Sequence, residues 1–326
     1  MPQLFRKEIS IKPKRIKINH SNDFLLLGSC FTQNIRKHLS FNGYGNFYPF
    51  GTLYNPMTIV NNLKRIIDNH QFNDTDIIKS NGLYYCWNHS GLYSSKNEKE
   101  LLDQINSEVS RLNKQISENT VVIITLGTSF VYEHESYGLV GNCHKISGSE
   151  FSKRFLKFDE MVSSWKEVIA RLKSKHVIFT VSPVRHWSDG AVQNNRSKSL
   201  LHLLVGELEG SFENVSYFPS YEIMMDELRD YRFYKKDMLH PSDEAIEFIW
   251  NKFKTYCFSN DSIQTIDLVE DIRKAILHVP FNPNSKQHII FLENLLDRIK
   301  NVIDKTPNYN WDLEIEEIKK MIAAAN

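Results

Sequence analysis

The sequence has few cysteines, and none of them stands in a pair typical of a known site. Cys30, Cys86, Cys143 and Cys257 are scattered through 326 residues, without a C-x-x-C pair. This spacing suits neither a zinc site nor a disulfide framework. We therefore expect no metal, no cofactor and a reducing, intracellular setting.

Long apolar runs and an excess of charge are also missing. No stretch approaches the roughly 18 apolar residues of a membrane helix, so we expect no membrane span. Lys and Arg number 40 and Asp and Glu 39, and both signs are interspersed, which predicts no nucleic-acid partner. Residues 1–7 lack the apolar stretch of a signal peptide, and we expect a cytoplasmic protein.

Short apolar runs rich in Val, Ile, Leu and Phe are present, and they are typical of buried strands. Small or polar residues, or a proline, follow each of them. The runs are Phe24 to Leu27, Val121 to Leu126, Val177 to Val181 and Val215 to Phe218.

Apolar residues with helical spacing lie between these runs. They recur every three or four residues within 101–116, 161–172 and 200–208. Alternating strands and helices predict an α/β fold, a three-layer sandwich with a mostly parallel sheet. Such sheets bind ligands beyond the carboxyl ends of their strands, so we expect the functional residues there.

Two further segments depart from this alternation. Residues 82–94 predict an inserted β-hairpin, with Asn88 to Gly91 as its turn. Beyond residue 258, a long helical pattern at 286–304 and a short one at 311–325 predict an α-helical extension. We therefore divide the chain into an α/β domain, 1–257, and an extension, 258–326, through which the protein could form a homo-oligomer.

The first cluster of reactive residues is Gly28-Ser29-Cys30, between a predicted strand and a predicted helix, 33–39. A nucleophile on such a turn lies over backbone N–H groups that can hold an oxyanion, and the helix dipole lowers a thiol pKa. The alternative is a plain turn with an N-cap serine and a small buried cysteine.

The second cluster is Asp237-Met238-Leu239-His240, followed by Pro241 and a helix that begins at Ser242. The proline holds His240 in extended geometry, outside the helix. A histidine with a carboxylate three residues earlier has the parts of a general base and its orienting partner. An ordinary capped turn would leave the same pattern.

These and other segments together resemble the GSCFA family. Gly28-Ser29-Cys30-Phe31 is similar to the motif that names the family, with Thr32 at its last position. The resemblance covers roughly residues 20 to 255. It extends to the segments 51–56, 125–128, 142–145, 182–186 and 229–234, in the family's order.

The family in turn resembles the SGNH/GDSL hydrolases, which implies a flavodoxin-like three-layer fold and acyl-ester chemistry. In that group a Gly-Asp-Ser turn supplies the nucleophile, and Asp-x-x-His supplies the base and its partner. Asp237 and His240 match the second motif. At the first motif, alignment on Gly28 makes Cys30 the nucleophile, whereas a shift by one residue makes it Ser29.

The oxyanion hole of the SGNH group is only partly recognisable. Its Gly-x-Asn-Asp motif is absent, and Gly127-Thr128 occupies the corresponding strand end. The resemblance implies backbone N–H donors near Gly51 or Gly127. It leaves Asn55 and Asn142 as side-chain donors, and each is equally well explained as a turn residue.

Arg185 and His186 follow the strand end at Ser182, so we expect them to face the cleft. An arginine there could hold a substrate carboxylate or phosphate, or it could pair with a nearby aspartate. Among the aromatic residues, Tyr54 and Trp187 could stack on a sugar or an acyl group.

The leading hypothesis is therefore an ester hydrolase or acyltransferase that acts on a small-molecule or carbohydrate acyl ester. Cys30 or Ser29 would attack the carbonyl, and His240, oriented by Asp237, would act as the base. The alternative is a non-catalytic module on the same scaffold that binds a glycan, a metabolite or a protein.

Overall fold

The structure is a computed structural model that describes residues 7–11 and 18–325. The expected three-layer α/β fold is confirmed, with a parallel sheet, an inserted hairpin and a helical C-terminal extension. Among the described residues, no helix has the length and apolar composition that crossing a bilayer requires. The expectation about a signal peptide concerns residues 1–7, and the first six lie outside the described part.

Strands and helices alternate over most of the described chain. The strands are β1 (Asp23–Gly28), β2 (Asn46–Phe47), β3 (Ile77–Ser80), β4 (Leu83–Cys86), β5 (Ser94–Ser95), β6 (Thr120–Leu126), β7 (Phe130–His134), β8 (Gly138–Val140), β9 (Phe151–Phe155), β10 (Val177–Val181) and β11 (Val215–Tyr217). The helices are α1 (Cys30–Phe41), α2 (Pro56–Asp68), α3 (Glu98–Gln115), α4 (Phe158–Ala170), α5 (Gly190–Ser211), α6 (Ser220–Glu222), α7 (Asp243–Cys257), α8 (Asn260–Ile276), α9 (Lys286–Ile303) and α10 (Asp312–Ala325).

The main sheet is parallel, in the order β2-β1-β6-β10-β11. With its strands numbered along the chain this is the order 2-1-3-4-5, which is the flavodoxin-like arrangement. The strand order reverses between β1 and β6. Crossovers on the two sides of that point leave opposite faces of the sheet, which opens a crevice at its carboxyl edge.

Apolar side chains on both faces of the sheet give the molecule its layers. Along β1, Leu25 and Leu27 pack in a core with α2, α3, α4 and α5, whereas Phe24 and Leu26 pack with α1 and α7 on the opposite face. Successive strand residues point to opposite faces, so an unbroken apolar run is buried twice. This is why short Val-, Ile- and Leu-rich runs identified the central strands.

Local signals fix where the helices beside the sheet begin. The side chain of Asn55 accepts from the N–H of Thr58, and Pro56 takes the first position of α2, where its missing N–H costs nothing. Ser242 caps α7 in the same way. Both helix starts lie at the carboxyl edge of the sheet, so the two caps also position the loops that form the crevice.

The inserted hairpin is present, because β4 pairs antiparallel with β5 and the connection 87–93 contains the predicted turn at Asn88 to Gly91. Strand β4 pairs antiparallel with β3 across Asn81-Gly82, and then with β5. Asn81 and Gly82 both have positive φ, as a two-residue turn between antiparallel strands requires. The Asn-Gly pair was therefore the signal for a third strand, β3, that the sequence analysis did not predict.

A second small sheet, which the sequence analysis did not predict, follows β6. Strand β7 pairs antiparallel with β8 and with β9. Phe130 and Tyr132 of β7 and Lys153 of β9 face the carboxyl edge of the main sheet, where they form one side of a pocket. The insertion therefore adds a wall to the crevice.

The C-terminal extension packs on the α/β domain through α8. Ile266 belongs to the core around α1 and α7, and the hydroxyl of Ser262 donates to the carbonyl of Ile18. On its other side α8 joins α9 and α10 in a separate core that includes Val269 and Ile272. The division at residue 257 and a role of the extension in self-association both stay predictions.

Candidate active site

A pocket of about 390 Å³ lies at the carboxyl edge of the sheet, at the reversal of strand order. Of the predicted site residues, seven line it and Ser29, Gly51, Gly127 and Asp237 do not. The lining residues are Cys30, Tyr54, Asn55, Thr128, Phe130, Tyr132, Val140, Gly141, Asn142, Cys143, Lys153, Val184, Arg185, His186, Trp187, Ser188, Asp189, Leu239 and His240.

Cys30 reaches the pocket because β1 ends in a tight turn. Gly28 has φ +137°, and a Cβ at this position would collide with the backbone carbonyl of Thr125 on β6. The N–H of Ser29 donates to that same carbonyl oxygen at 3.0 Å. The chain then starts α1 directly at Cys30, so only glycine at position 28 allows the two strands and the helix to meet.

Ser29 and Cys30 differ in their access to the pocket. Ser29 is 1% exposed, does not line the pocket, and has a buried hydroxyl without a hydrogen-bond partner among the described residues. Cys30 is half-buried and lines the pocket as the first residue of α1. Of the two predicted nucleophiles, the geometry therefore favours Cys30.

The N–H groups at the start of α1 lower the pKa of this thiol, as expected, but burial outweighs them. Burial raises the pKa of Cys30 above its ordinary value, because it removes water from the thiolate. The charge of Lys198 and the backbone N–H groups of Cys30 and Phe31 oppose this effect without cancelling it. Cys30 therefore needs a base to become a nucleophile.

Asp237 and His240 form a hydrogen-bonded pair beside Cys30. His240 Nδ1 lies 2.6 Å from Asp237 Oδ2, while Asp237 Oδ1 accepts from the N–H groups of His240 and Leu239. The two backbone donors and the imidazole lower the pKa of Asp237 to about 2. No direct hydrogen bond joins His240 to Cys30, both of which are described residues.

The segment between Asp237 and His240 is a tight turn held at both ends. Met238 adopts φ +58°, and the N–H of Lys235 donates to the carbonyl of His240 at 2.8 Å. A bridge from Tyr234 to Pro241 closes the turn, and Ser242 then caps α7. The imidazole is therefore fixed by the backbone as well as by Asp237.

His186 lies in the pocket as a neutral imidazole. Burial, assisted by the charge of Lys198, lowers its pKa to about 4. The backbone N–H of His186 donates to the side-chain oxygen of buried Asn194, and the imidazole ring contacts the Tyr54 ring edge to face. A neutral imidazole can donate or accept a hydrogen bond, so His186 is suited to contact a polar substrate group.

Arg185 extends over the ring of Trp187, with its guanidinium carbon 4.8 Å from the ring centroid. Its Nε is buried without a hydrogen-bond partner, and none of the described Asp or Glu side chains forms an ion pair with it. The alternative of pairing with a nearby aspartate is therefore not realised.

Lys198 is a charged residue of the site that the sequence analysis missed. It is 2% exposed on α5, and its Nζ donates to the carbonyls of Gly127 and Ser182, both at 2.8 Å. Burial lowers its pKa to about 7, and the nearby thiol of Cys30 raises it in part. Lys198 thus joins the ends of β6 and β10 and adds positive charge near Cys30.

Several expected oxyanion donors are already engaged. The N–H groups of Gly127 and Thr128 both donate to the carbonyl of Tyr54, at 2.8 and 3.0 Å. Asn55 uses its amide to cap α2 and to contact the hydroxyl of Thr58. Gly51 lies outside the pocket, and its φ of +67° and contact with Ser90 account for the glycine.

Asn142 is partly engaged in a turn at the rim of the pocket. Its Oδ1 accepts from the N–H of His144, and its own N–H donates to the carbonyl of Trp87 at 3.2 Å. His144 is buried, stacks on Tyr85 and contacts the carbonyl of Cys86. Among the described residues, no group of three or more His, Cys, Asp or Glu side chains is placed to hold a metal ion.

Aromatic side chains form much of the remaining wall of the pocket. Tyr54 and Trp187 lie on the main-sheet loops, and Phe130 and Tyr132 lie on β7. Trp187 is 48% exposed, which is unusual for a side chain of this size. Flat apolar surfaces beside polar groups suit an acyl chain or the apolar face of a sugar.

Comparison with known proteins gives two family matches. The model of the GSCFA family matches residues 23–253, and that of the GSCFA domain protein, C-terminal domain, matches residues 269–324. No curated protein and no solved structure matches the chain. The first match extends over more than half of the chain and includes Cys30, Asp237 and His240.

Proposed function

This chain belongs to the GSCFA family, and on that premise we propose that it is an acyl-ester hydrolase or acyltransferase with Cys30 as its nucleophile. One observation carries the proposal. Cys30, near the start of the chain, and His240, near its end, line one pocket, and His240 is bonded to Asp237. A nucleophile, a base and an orienting carboxylate are the parts that acyl transfer requires.

In the proposed reaction, His240 removes the thiol proton as Cys30 Sγ attacks the carbonyl carbon. Asp237 accepts a hydrogen bond from the Nδ1–H of His240, which leaves Nε2 free to act as the base. The new C–S bond forms while the carbonyl oxygen takes the electron pair. When the intermediate collapses, the alcohol or thiol leaves with the proton from His240. Water, or a second alcohol, then gives its proton to His240 as its oxygen attacks the acyl carbon. The C–S bond breaks, and the Cys30 sulfur recovers that proton from His240.

The oxyanion donors in this proposal are the N–H groups at the start of α1. The first N–H groups of a helix have no partner within it, and those of Cys30 and Phe31 already stabilise the negative charge of the thiolate. They replace the donors that were expected near Gly127, whose N–H is engaged by Tyr54.

The substrate in this proposal is a small-molecule or carbohydrate acyl ester. A pocket of about 390 Å³ with aromatic walls admits a ligand of that size. A distant relation to the SGNH hydrolases is part of the proposal, and it rests on Asp237-x-x-His240 and the turn at Cys30. So is a reducing compartment such as the cytoplasm, because a cysteine nucleophile must remain a free thiol.

The second candidate function is binding without catalysis, on the same scaffold. The raised pKa of Cys30 and the engaged N–H groups of Gly127 and Thr128 favour it. The Asp237–His240 pair speaks against it, since a binding module has no need of an oriented base. Self-association through the extension also stays a prediction, which light scattering on the whole chain can measure.

Hydrolysis of short p-nitrophenyl esters and acyl thioesters tests the proposal. We expect the wild type to turn over at least one of them. Cys30→Ala and His240→Ala should each lose about 10³-fold or more in kcat, because each removes a participant in proton transfer or bond formation.

Two variants provide matched controls for that experiment. Ser29→Ala changes the buried neighbour of Cys30, and Cys143→Ala removes another half-buried thiol that lines the same pocket. Both should keep turnover within a few-fold of the wild type. A wild type that is inert on the whole panel would instead favour the binding module.

A further inference from the structure

We propose that the substrate carries an anionic group, a carboxylate or a phosphate, that binds to Arg185. This inference rests on the proposed acyl transfer, and it narrows the substrate from any small ester to an anionic one. It also implies that the ester is anchored at a point separate from the reacting carbonyl.

Arg185 has unused hydrogen-bonding capacity. A guanidinium has five N–H donors, and those that are buried normally find partners. In the described part of the chain, the buried Nε of Arg185 has none, and no carboxylate forms an ion pair with this side chain. Such a group needs an acceptor, and a bound anion supplies one.

The guanidinium of Arg185 is also held in place. Its carbon lies 4.8 Å from the centroid of the Trp187 ring, so the cation rests against the aromatic side chain. This contact restricts the motion of the guanidinium. A positioned N–H edge can bind a carboxylate or a phosphate through two parallel hydrogen bonds.

The lysines in and near the pocket already have partners. Lys153 forms an ion pair with Asp189, and both line the pocket. Lys198 is occupied by the carbonyls of Gly127 and Ser182. Among the described lining residues, this leaves Arg185 as the arginine or lysine without a carboxylate or carbonyl partner.

The position of Arg185 connects the anion to the reacting groups. Its backbone N–H donates to the carbonyl of Leu239, within the Asp237–His240 turn, at 3.4 Å. Arg185 therefore belongs to a loop that is tied directly to the general base. An anionic group bound at Arg185 would orient the rest of the ester toward Cys30 and His240.

The kinetic test compares a neutral ester with an anionic one of similar size. The substrates are p-nitrophenyl butyrate and the p-nitrophenyl monoester of glutarate. We expect the wild type to favour the glutarate ester by about 10- to 100-fold in kcat/KM, as charge-assisted bonds to arginine allow. Arg185→Met should reduce this ratio to about 1, and Arg185→Lys should keep part of it.

A second test does not depend on turnover. Iodoacetamide alkylates Cys30, and mass spectrometry gives the rate for that peptide in the presence of glutarate or of inorganic phosphate. We expect the preferred anion to slow alkylation in the wild type and not in Arg185→Met. The separate glutarate and phosphate arms identify which anion the site prefers.

Arg298→Met is the matched control for both tests, because Arg298 is an exposed arginine on α9 in the extension. It should keep the wild-type ratio and the wild-type protection. Turnover with a ratio near 1, without protection by either anion, would overturn the proposed anion site and leave acyl transfer standing. Protection without any turnover would instead support the site and count against acyl transfer.

Discussion

At the scale of single residues, Cys30 and the buried amine of Lys198 affect each other's pKa. Lys198 is enclosed between β6 and β10, and burial lowers its pKa to about 7. The thiol of Cys30 is also buried, and its pKa is raised. A proton that passes from the thiol to the amine creates two opposite charges that stabilise each other at low dielectric.

Replacing Lys198 should therefore make Cys30 less reactive. In Lys198→Met the thiolate loses its nearest stabilising cation, and its pKa rises further. We expect iodoacetamide to alkylate Cys30 about 3- to 10-fold more slowly at pH 7.5, since one pKa unit corresponds to a tenfold loss of thiolate. The pH profile of alkylation, read by mass spectrometry, measures the effect.

Two other variants complete that experiment. Lys166→Met removes an exposed lysine paired with Glu207, and it should leave the profile unchanged. Lys198→Arg keeps the positive charge, so it remains informative if the methionine variant fails to fold. Equal midpoints in the wild type and Lys198→Met would show that the lysine serves only to join the two strand ends.

The sequence predicted the reactive residues of the site better than their surroundings. Asp237 and His240 were recognisable because they lie three residues apart and a proline follows, so the local sequence fixes their geometry. Lys198 was not, because its role depends on three distant segments that only the folded sheet brings together. A lysine at helical spacing from the apolar residues Leu201 and Leu204 was the available signal.

At the scale of secondary-structure elements, the sequence predicted the fully buried strands and missed the half-exposed ones. Strands β1, β6 and β10 are apolar on both faces, so each appears as an unbroken run in the sequence. Strands β7 and β9 are half-exposed and contain charged residues, so neither appears as an unbroken apolar run in the sequence. The sequence therefore did not predict the pocket wall that these two strands form.

The extension contains an element that the sequence could have predicted. Helix α8 was missed, although Ile263, Ile266, Val269 and Ile272 recur at helical spacing. Its two faces serve two different cores, so its apolar stripe is broad and its boundaries are weakly marked. The ends of the extension are joined by Arg273 of α8 and Glu314 of α10, which form an ion pair at 2.8 Å.

Arg273 should be essential for docking α10 onto α8. Its guanidinium lies between the rings of Phe41, Tyr309 and Trp311, and little of it is exposed. Arg273→Met would leave Glu314 buried without its cation, which costs about 3 kcal/mol. We expect the amides of α10 to exchange hydrogen faster, as measured by hydrogen–deuterium exchange and mass spectrometry.

The control for Arg273 is again Arg298→Met, since Arg298 lies exposed on the neighbouring helix α9. Exchange in β1 and β6 should not change in either variant, because these strands belong to the main sheet. Unchanged exchange in α10 of Arg273→Met would mean that apolar contacts of Trp311 and Ile318 dock the helix without the ion pair.

At the scale of the whole molecule, buried histidines link stability to pH. Burial lowers the pKa of His20 and His186 to about 4 and that of His89 to about 3. In the unfolded chain these groups titrate near 6.5, so between pH 6.5 and 4 the unfolded state binds more protons. Stability must therefore fall as the pH drops through this window. Burial also lowers the pKa of four further histidines, His38, His144, His176 and His202.

His89 offers the clearest test of this linkage, because it lies outside the candidate site. Its ring is packed edge to face against Phe50, Phe72 and Tyr93, and its Nδ1 has no hydrogen-bond partner among the described residues. His89→Phe keeps an aromatic ring among aromatic neighbours and removes one titrating group. Urea unfolding at pH 6.5, 5.5 and 4.5 measures how the free energy of unfolding changes with pH.

We expect the wild type to lose stability over these two pH units faster than His89→Phe does. One protonation site contributes up to about 1.4 kcal/mol per pH unit, so the difference should approach 2 to 3 kcal/mol at pH 4.5. The phenyl ring can shift the stability at every pH, which is why the slope and not the absolute value is compared. His278→Gln, which changes an exposed histidine after α8, should retain the wild-type slope. Parallel slopes for the wild type and His89→Phe would show that His89 takes up no proton on unfolding in this range.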